Sequence, residues 1–161
     1  MKAHPLSRPT TLLLCLLAVT ALSPTAASRA QEKEPETTLP ACGIRYPGGY
    51  DPNTVGVVEG RVASLNRPER GPVSFSLAAS GETYTVFTAP AWFWDDRKIK
   101  IGSGDRVRVK GSKTMGADGN LYLVAQEITV AGAATPVILR DIQGTPVWSG
   151  CGPAGCGRRG R

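Results

Sequence analysis

Short runs of alternating apolar and polar residues, each ended by glycine or proline, fill most of the chain after residue 54. Val73, Phe75 and Leu77 alternate with serine and alanine, and Val107 and Val109 alternate with basic residues. Such period-two alternation puts successive side chains on opposite faces of a β-strand. The 19 glycines and 13 prolines supply frequent turns and leave few stretches long enough for a helix. The sequence therefore predicts an all-β domain.

The first strand is predicted to be long and bent. It runs over residues 55–65, with Gly56 and Gly60 where a curled strand would bend. A hairpin with its turn at residues 80–82 follows. The segment 90–98 interrupts the strand pattern and is expected to hold one or two helical turns, because proline is favoured near a helix start.

The second half of the domain returns to strands. After a turn at residues 116–120, the apolar residues up to Ala125 are out of phase with Ile128. A β-bulge near Gln126 and Glu127 would restore the register. The segment 136–148 is then expected to form a strand, a turn and a short return, as a C-terminal β extension.

This order of elements is that of an OB-fold, a five-stranded Greek-key barrel, here with a short helix between strands 3 and 4. The segments that carry the pattern are residues 57–62, 104–111 (Gly-Asp-Arg-Val-Arg-Val-Lys-Gly), 123–128, 89–93 and 139–141, with Gly144, Pro146 and Trp148. On these residues the chain resembles small exported bacterial OB-fold domain proteins of poorly defined function. The pattern at 104–111 is common to many OB-folds, so it supports the fold far more than any function. We predict an OB-fold domain over residues 54–148.

The N-terminal segment has the three parts of a secretory signal peptide. Lys2 and Arg8 precede an apolar run over residues 11–22, and small residues follow it. That run is shorter than the roughly twenty residues a membrane-spanning helix needs, and no later stretch is apolar enough to span. We therefore predict a signal peptide over 1–30, with Ala27 as a second possible cleavage point, and a periplasmic or secreted protein.

Two further segments flank the predicted domain. Residues 31–53 are acidic at first and rich in proline and glycine, which is typical of an extended leader. Residues 149–161 form a tail of cysteine, glycine and arginine.

Signal cleavage would remove the single histidine, His4. A chain without histidine excludes a haem-attaching C-x-x-C-H motif, histidine-containing zinc or copper sites, and histidine-activated serine or cysteine nucleophiles. The sequence also has no phosphate-binding loop. We therefore predict a binding or accessory module that is not an enzyme and carries no cofactor.

The formal net charge of +6 does not indicate a basic domain. Three basic residues leave with residues 1–30, and three more are Arg158, Arg159 and Arg161. Residues 31–157 then hold thirteen residues of each sign. Since nucleic-acid binding relies on neutralising several phosphates, this balance argues against a nucleic-acid partner.

The candidate ligand-binding residues are Trp92, Trp94, Arg106, Arg108 and Arg140. Aromatic residues beside basic ones can stack on bases and contact phosphates. Large aromatics also commonly fill a barrel end, and alternating charges on an outer strand are commonly its solvated face. Both interpretations stay open. The expected partner is a periplasmic protein or a small ligand, with exported electron-transfer proteins as one class, and the oligomeric state is open.

Cys42, Cys151 and Cys156 support an alternative function. In an oxidising compartment at least two of them would pair, and the C-x4-C spacing of Cys151 and Cys156 favours direct closure. Pairing of Cys42 with either would instead close a long loop. The third thiol would then be free, bridge a dimer or ligate a metal of unknown identity. The alternative is thus a periplasmic thiol-redox or metal-handling protein. A third hypothesis, single-stranded nucleic-acid binding, rests on fold analogy alone.

Overall fold

A computed structural model describes residues 36–149 of the chain. Its strands are β1 (Thr37–Thr38), β2 (Arg45–Tyr46), β3 (Val55–Asn66), β4 (Pro72–Ala79), β5 (Glu82–Pro90), β6 (Arg106–Met115), β7 (Leu121–Val130) and β8 (Val137–Ile138). Its helices are α1 (Ala91–Asp96), between β5 and β6, and a 3-10 turn, Pro52–Thr54. Among residues 36–149, no helix is both long enough and apolar enough to cross a membrane.

Five strands close into a barrel. β3 pairs antiparallel with β4 on one side and β6 on the other, β4 continues to β5, and β6 continues to β7. A parallel pairing of β5 with β7 completes the circle. The all-β prediction is confirmed, and a closed, mixed five-stranded barrel with one short helix is consistent with an OB-fold.

The long first strand changes partner near Gly60. Residues 55–61 pair with β6, and residues 61–66 pair with β4. A Cβ atom on Gly60 would overlap the carbonyl oxygen of Ala78 in β4. Glycine at this position therefore lets the two backbones approach where the strand bends.

The predicted bulge in β7 is confirmed. Lys110 pairs with Glu127 while Gly111 pairs with Ala125, so Gln126 is the extra residue. This shift returns Ile128 to the buried side, where it is 1% exposed. The bulge thus explains why the apolar residues of β7 change phase along the sequence.

The barrel interior is apolar and merges with the core beneath α1. The interior and α1 contribute to one buried cluster, which includes Val62, Phe75, Leu77, Val86, Val109, Leu123, Phe93, Trp94 and Trp148. Trp148 comes from the C-terminal extension, in which β8 pairs with β7 and Arg140 bridges to Pro146. This extension matches the predicted strand, turn and return.

The described part of the predicted extended leader is folded against the barrel. β1 and β2 form an antiparallel hairpin in which Cys42 and Tyr46 are buried. Cys42 packs on Phe87 and Tyr122, whose rings stack with centroids 5.3 Å apart. The apolar side chains of this hairpin are removed from water when they pack on the barrel, whereas an extended arm would leave them exposed. The predicted signal peptide and most of the predicted tail lie outside residues 36–149.

Candidate binding cleft at Trp92

A cleft of about 830 Å³ opens beside α1. We call it the Trp92 cleft, and its walls come from the N-terminal hairpin, from the β3–β4 loop and from the junction of β5 with α1. The lining residues are Thr37, Leu39, Pro40, Tyr46, Glu69, Arg70, Gly71, Pro90, Ala91 and Trp92. Its volume lies within the range of small-molecule sites in proteins. Most of the lining side chains are apolar, so the cleft can remove apolar ligand surface from water.

Trp92 is the half-buried member of an otherwise buried aromatic group. Its ring meets that of Phe93 edge to face, with centroids 5.9 Å apart. Phe93 is 1% exposed and in turn contacts Trp148. Because α1 turns successive side chains by about 100°, Phe93 faces the core while Trp92 reaches the cleft. The cleft therefore presents an indole that is supported from behind.

Trp94, the second predicted tryptophan, is buried and faces away from solvent. It is 2% exposed, and its indole Nε1 donates to Thr88 Oγ1 at 2.9 Å. The same hydroxyl donates to the carbonyl of Val73 at 2.7 Å. Trp94 therefore holds α1 against β4 and β5, and its side chain does not line the Trp92 cleft.

The β3–β4 loop is fixed to α1 at the edge of the cleft. The guanidinium of Arg67 donates to Asp95 at 2.8 Å and to the carbonyl of Ala91 at 3.2 Å. Glu69 and Arg70, the next charged residues of the loop, lie at the rim of the cleft with opposite charges. The rim therefore carries no net charge.

Arg106 and Arg108 lie on the exposed face of β6, away from the Trp92 cleft. Arg108 is paired with Glu59 of β3 at 3.4 Å, and both side chains are more than half exposed. Arg106 lies with Arg61 and Glu59 on a separate polar depression of about 420 Å³. Exposed pairs of this kind contribute at most about 1 kcal/mol, so this strand has the properties of a solvated face.

Arg140, the last predicted ligand-binding residue, is buried at 2% exposure. It lies between the rings of Tyr50 and Trp148, outside the lining of the Trp92 cleft. Of the five predicted residues, the structure places Trp92 alone in that cleft.

The β6–β7 loop also contacts the N-terminal hairpin. The amide of Ala117 donates to the carbonyl of Cys42 at 2.9 Å, and the hydroxyl of Tyr122 donates to Asp118 at 2.6 Å. Burial and that hydrogen bond raise the pKa of Tyr122 to about 12. The same hydrogen bond, with one from Asn120, lowers the pKa of Asp118. Tyr122 therefore stays protonated and holds this loop in place.

Cys42 is a buried free thiol, 2% exposed. Cys151 and Cys156 lie outside the described residues, so their pairing and the thiol-redox alternative stay predictions. Within residues 36–149, no group of three or more histidine, cysteine, aspartate or glutamate side chains is arranged so that it could hold a metal ion.

The hairpin wall of the cleft is the part that the sequence did not predict. Leu39 and Tyr46 lie in the segment interpreted as an extended leader. Four apolar residues within eight positions, Leu39, Cys42, Ile44 and Tyr46, are the signal that could have indicated a packed segment.

Two solved structures show limited similarity to this chain. One is the mitochondrial single-stranded DNA binding protein Rim1 of S. cerevisiae, with 18% identity, a TM-score of 0.39, and coverage of 53% of this chain and 98% of that chain. The other is TiaS in a complex with a transfer RNA and ATP, with 23% identity, a TM-score of 0.36, and coverage of 47% of this chain. This chain spans 18% of the TiaS chain. At these scores neither likeness supports a function.

Among curated proteins, none matches the chain. A family model, described as the MamS/MamX magnetosome protein family, matches residues 54–135. That range holds all five barrel strands and α1 and is just over half of the 161 residues. The chain therefore belongs to the MamS/MamX magnetosome protein family.

Proposed function

We propose that this protein is an exported, non-catalytic binding module of the magnetosome that holds an apolar segment of a protein partner in the Trp92 cleft. Its scaffold is a Greek-key OB barrel with α1 between the third and fourth barrel strands. Membership of the magnetosome family supports the place of action, and the sequence pattern of residues 1–30 supports export.

The observation that carries the proposal is a half-exposed Trp92 at the edge of a largely apolar cleft. Aromatic anchors in such clefts contribute a large share of binding energy at protein interfaces. Ligands of OB-folds also contact the loop between the first two barrel strands, which here is the β3–β4 loop. In this chain that loop supplies Glu69, Arg70 and Gly71 to the cleft.

The charges around the cleft favour a neutral ligand over a polyanion. Glu69 and Arg70 balance each other at the rim, and the nearby Arg67 is already paired with Asp95. The basic side chains of β6 are outside the cleft and include the Arg108 pair with Glu59. Arg97, which lies over the ring of Phe93, is likewise paired with Asp96. Among the described residues that line the cleft, Arg70 is the one cation, so a nucleic acid would meet little net positive charge there.

The hairpin wall supports a peptide ligand. Leu39, Pro40 and Tyr46 face Pro90, Ala91 and Trp92 across the cleft, so both walls are apolar. A cleft with proline and aromatic walls suits a peptide whose apolar side chains dock between them.

Fluorescence can test the proposal, because Trp94 and Trp148 are at most 2% exposed while Trp92 is half-buried. The purified protein is titrated with three peptides capped at both ends, one apolar, one acidic and one basic, and with oligo-dT. We expect a saturable change in Trp92 emission with the apolar peptide. By fluorescence polarisation of labelled peptide, Trp92→Ala should weaken binding about thirtyfold, as loss of an aromatic hot spot does.

Two control variants separate the cleft from the rest of the surface. Trp92→Phe keeps an aromatic ring in the cleft and should retain most of the affinity, and Arg108→Ala on β6 should leave it unchanged. Equal binding of all three peptides, or unchanged affinity in Trp92→Ala, would refute the proposal. Salt-sensitive binding of oligo-dT alone would favour the nucleic-acid hypothesis instead.

A further inference from the structure

Arg140 carries a buried positive charge with an unusual set of contacts. The centre of its guanidinium lies 5.6 Å from the ring centroid of Tyr50 and 5.3 Å from that of Trp148. Its Nη1 donates to the carbonyl of Gly144 at 2.9 Å. Two aromatic rings and one hydrogen bond therefore fix the position of the guanidinium.

The other two nitrogens of the same group, Nε and Nη2, are buried and have no hydrogen-bond acceptor among the described residues. They form one edge of the guanidinium, and their N–H bonds run side by side at the spacing of two carboxylate oxygens. Buried donors on a charged group are costly to leave unpaired. This edge of Arg140 therefore has the geometry of a carboxylate receptor.

The adjacent carboxylate is engaged elsewhere. Asp141 Oδ1 accepts from the amides of Gln143 and Thr145, at 3.0 and 2.8 Å, and so closes the turn that follows Arg140. Burial lowers the pKa of Arg140 to about 10, which still leaves the guanidinium charged at neutral pH. Asp141 acts on this charge electrostatically, but no carboxylate of the described residues hydrogen-bonds the Nε–Nη2 edge.

A second cleft, of about 350 Å³, lies next to Arg140. We call it the Tyr50 cleft, and it is lined by Glu36, Pro47, Gly48, Tyr50, Gln143, Gly144, Thr145, Pro146 and Ser149. Tyr50 and Gly144 both line this cleft and contact Arg140, so they form the wall between them. Tyr50 is half-buried, so its ring also borders solvent.

We propose that the Tyr50 cleft binds a carboxylate, which movement of the Tyr50 ring admits to the Nε–Nη2 edge of Arg140. Glu36 lines this cleft, so one negative charge is already present there before a ligand binds. The Glu36 carboxylate lies 3.8 Å from the guanidinium of Arg45. A monoanion therefore suits the cleft better than a phosphate dianion. The carboxylate comes from a small organic acid or from the C-terminus of a protein partner. The Tyr50 cleft and the Trp92 cleft share no lining residue.

The side-chain NMR signal of Arg140 Nε–Hε reports directly on this edge. The purified protein is titrated with acetate, with a short peptide that has a free C-terminus, and with the same peptide amidated. We expect acetate to shift the signal downfield. Tighter binding of the free peptide than of acetate identifies a protein partner as the source, and equal or weaker binding identifies a small acid. The amidated peptide should leave the signal in place.

Three variants keep the test decisive. Arg140→Lys keeps the charge but loses the pair of parallel N–H donors. It should therefore lose one charge-assisted hydrogen bond to acetate and bind acetate about tenfold more weakly. Calorimetry measures this affinity. Glu36→Gln is an exposed change that leaves the fold intact and should tighten binding about twofold to fivefold. Arg108→Ala, on a distant strand, should have no effect. If acetate leaves the Arg140 signal unmoved in both the wild type and Glu36→Gln, the proposal is wrong.

Discussion

Replacement of Thr88 by valine tests how the cleft is supported. The hydroxyl of Thr88 is fully buried, accepts from the indole of Trp94 and donates to the carbonyl of Val73. Val73 lies where the pairing of β4 with β5 shifts register. One hydroxyl thus satisfies two buried groups that join α1 to the irregular end of β4.

The expected loss of stability follows from those two groups. Valine fills nearly the same volume but leaves the indole N–H and the carbonyl unpaired, at about 1–3 kcal/mol each. The added methyl group recovers about 0.8 kcal/mol of burial. Thr88→Val should therefore lower the free energy of unfolding by about 3 kcal/mol. Tyr46, which lines the Trp92 cleft, should stay in place because it donates to the backbone carbonyl of Thr88, which the substitution keeps.

Urea unfolding measures this loss, and a double-mutant cycle assigns it. In a Trp94→Phe background the indole N–H is gone, so Thr88→Val should cost about 1–3 kcal/mol less than in the wild type. Thr83→Val, an exposed change on the same strand, is the matched control and should stay within about 0.5 kcal/mol of wild type.

A cost for Thr88→Val within the range of the Thr83→Val control would refute the argument that this hydroxyl joins α1 to the barrel. A coupling energy near zero with an unchanged m-value would show that Trp94 gains nothing from the bond.

Two other predictions concern the barrel itself. Gly60→Ala should destabilise the protein by about 2 kcal/mol or more, because the new Cβ meets the carbonyl of Ala78, whereas Gly102→Ala, with open space around it, should be neutral. Equal urea midpoints for the two variants would contradict this. For Tyr122 the folded-state pKa is raised from 10.0 to about 12, so its contribution to stability is complete below pH 10 and is lost as pH rises towards 12. The urea midpoint should fall over that pH range in the wild type and less in Tyr122→Phe. An ultraviolet titration that gives Tyr122 the ordinary tyrosine pKa of 10.0 would contradict this prediction.

The strand pattern was predictable because it is local. Alternation along β4 and β6 reports which face of each strand is buried, whatever the strand pairs with. The phase change in β7 indicated a bulge, and the structure places the extra residue at Gln126. Each of these signals lies within about ten residues of sequence, which is the length of one strand.

The exposure of the aromatic residues was not predictable in the same way. Trp92 and Trp94 are two positions apart on a six-residue helix, and their side chains point in directions about 200° apart. Only the position of α1 relative to the barrel decides which indole meets Thr88 and which reaches the cleft. The sequence predicted both tryptophans as ligand-binding residues, and tertiary packing places only Trp92 in the cleft.

The sequence by itself thus determined the strands, the bulge and the all-β class, because backbone alternation and glycine placement act over short distances. Tertiary structure alone decided that Leu39 and Tyr46 wall the Trp92 cleft and that Arg140 is buried against Tyr50. Arg140 and Tyr50 are ninety positions apart in the chain. Burial of a side chain depends on which distant residues pack over it, and the periodicity of the surrounding sequence does not predict those contacts.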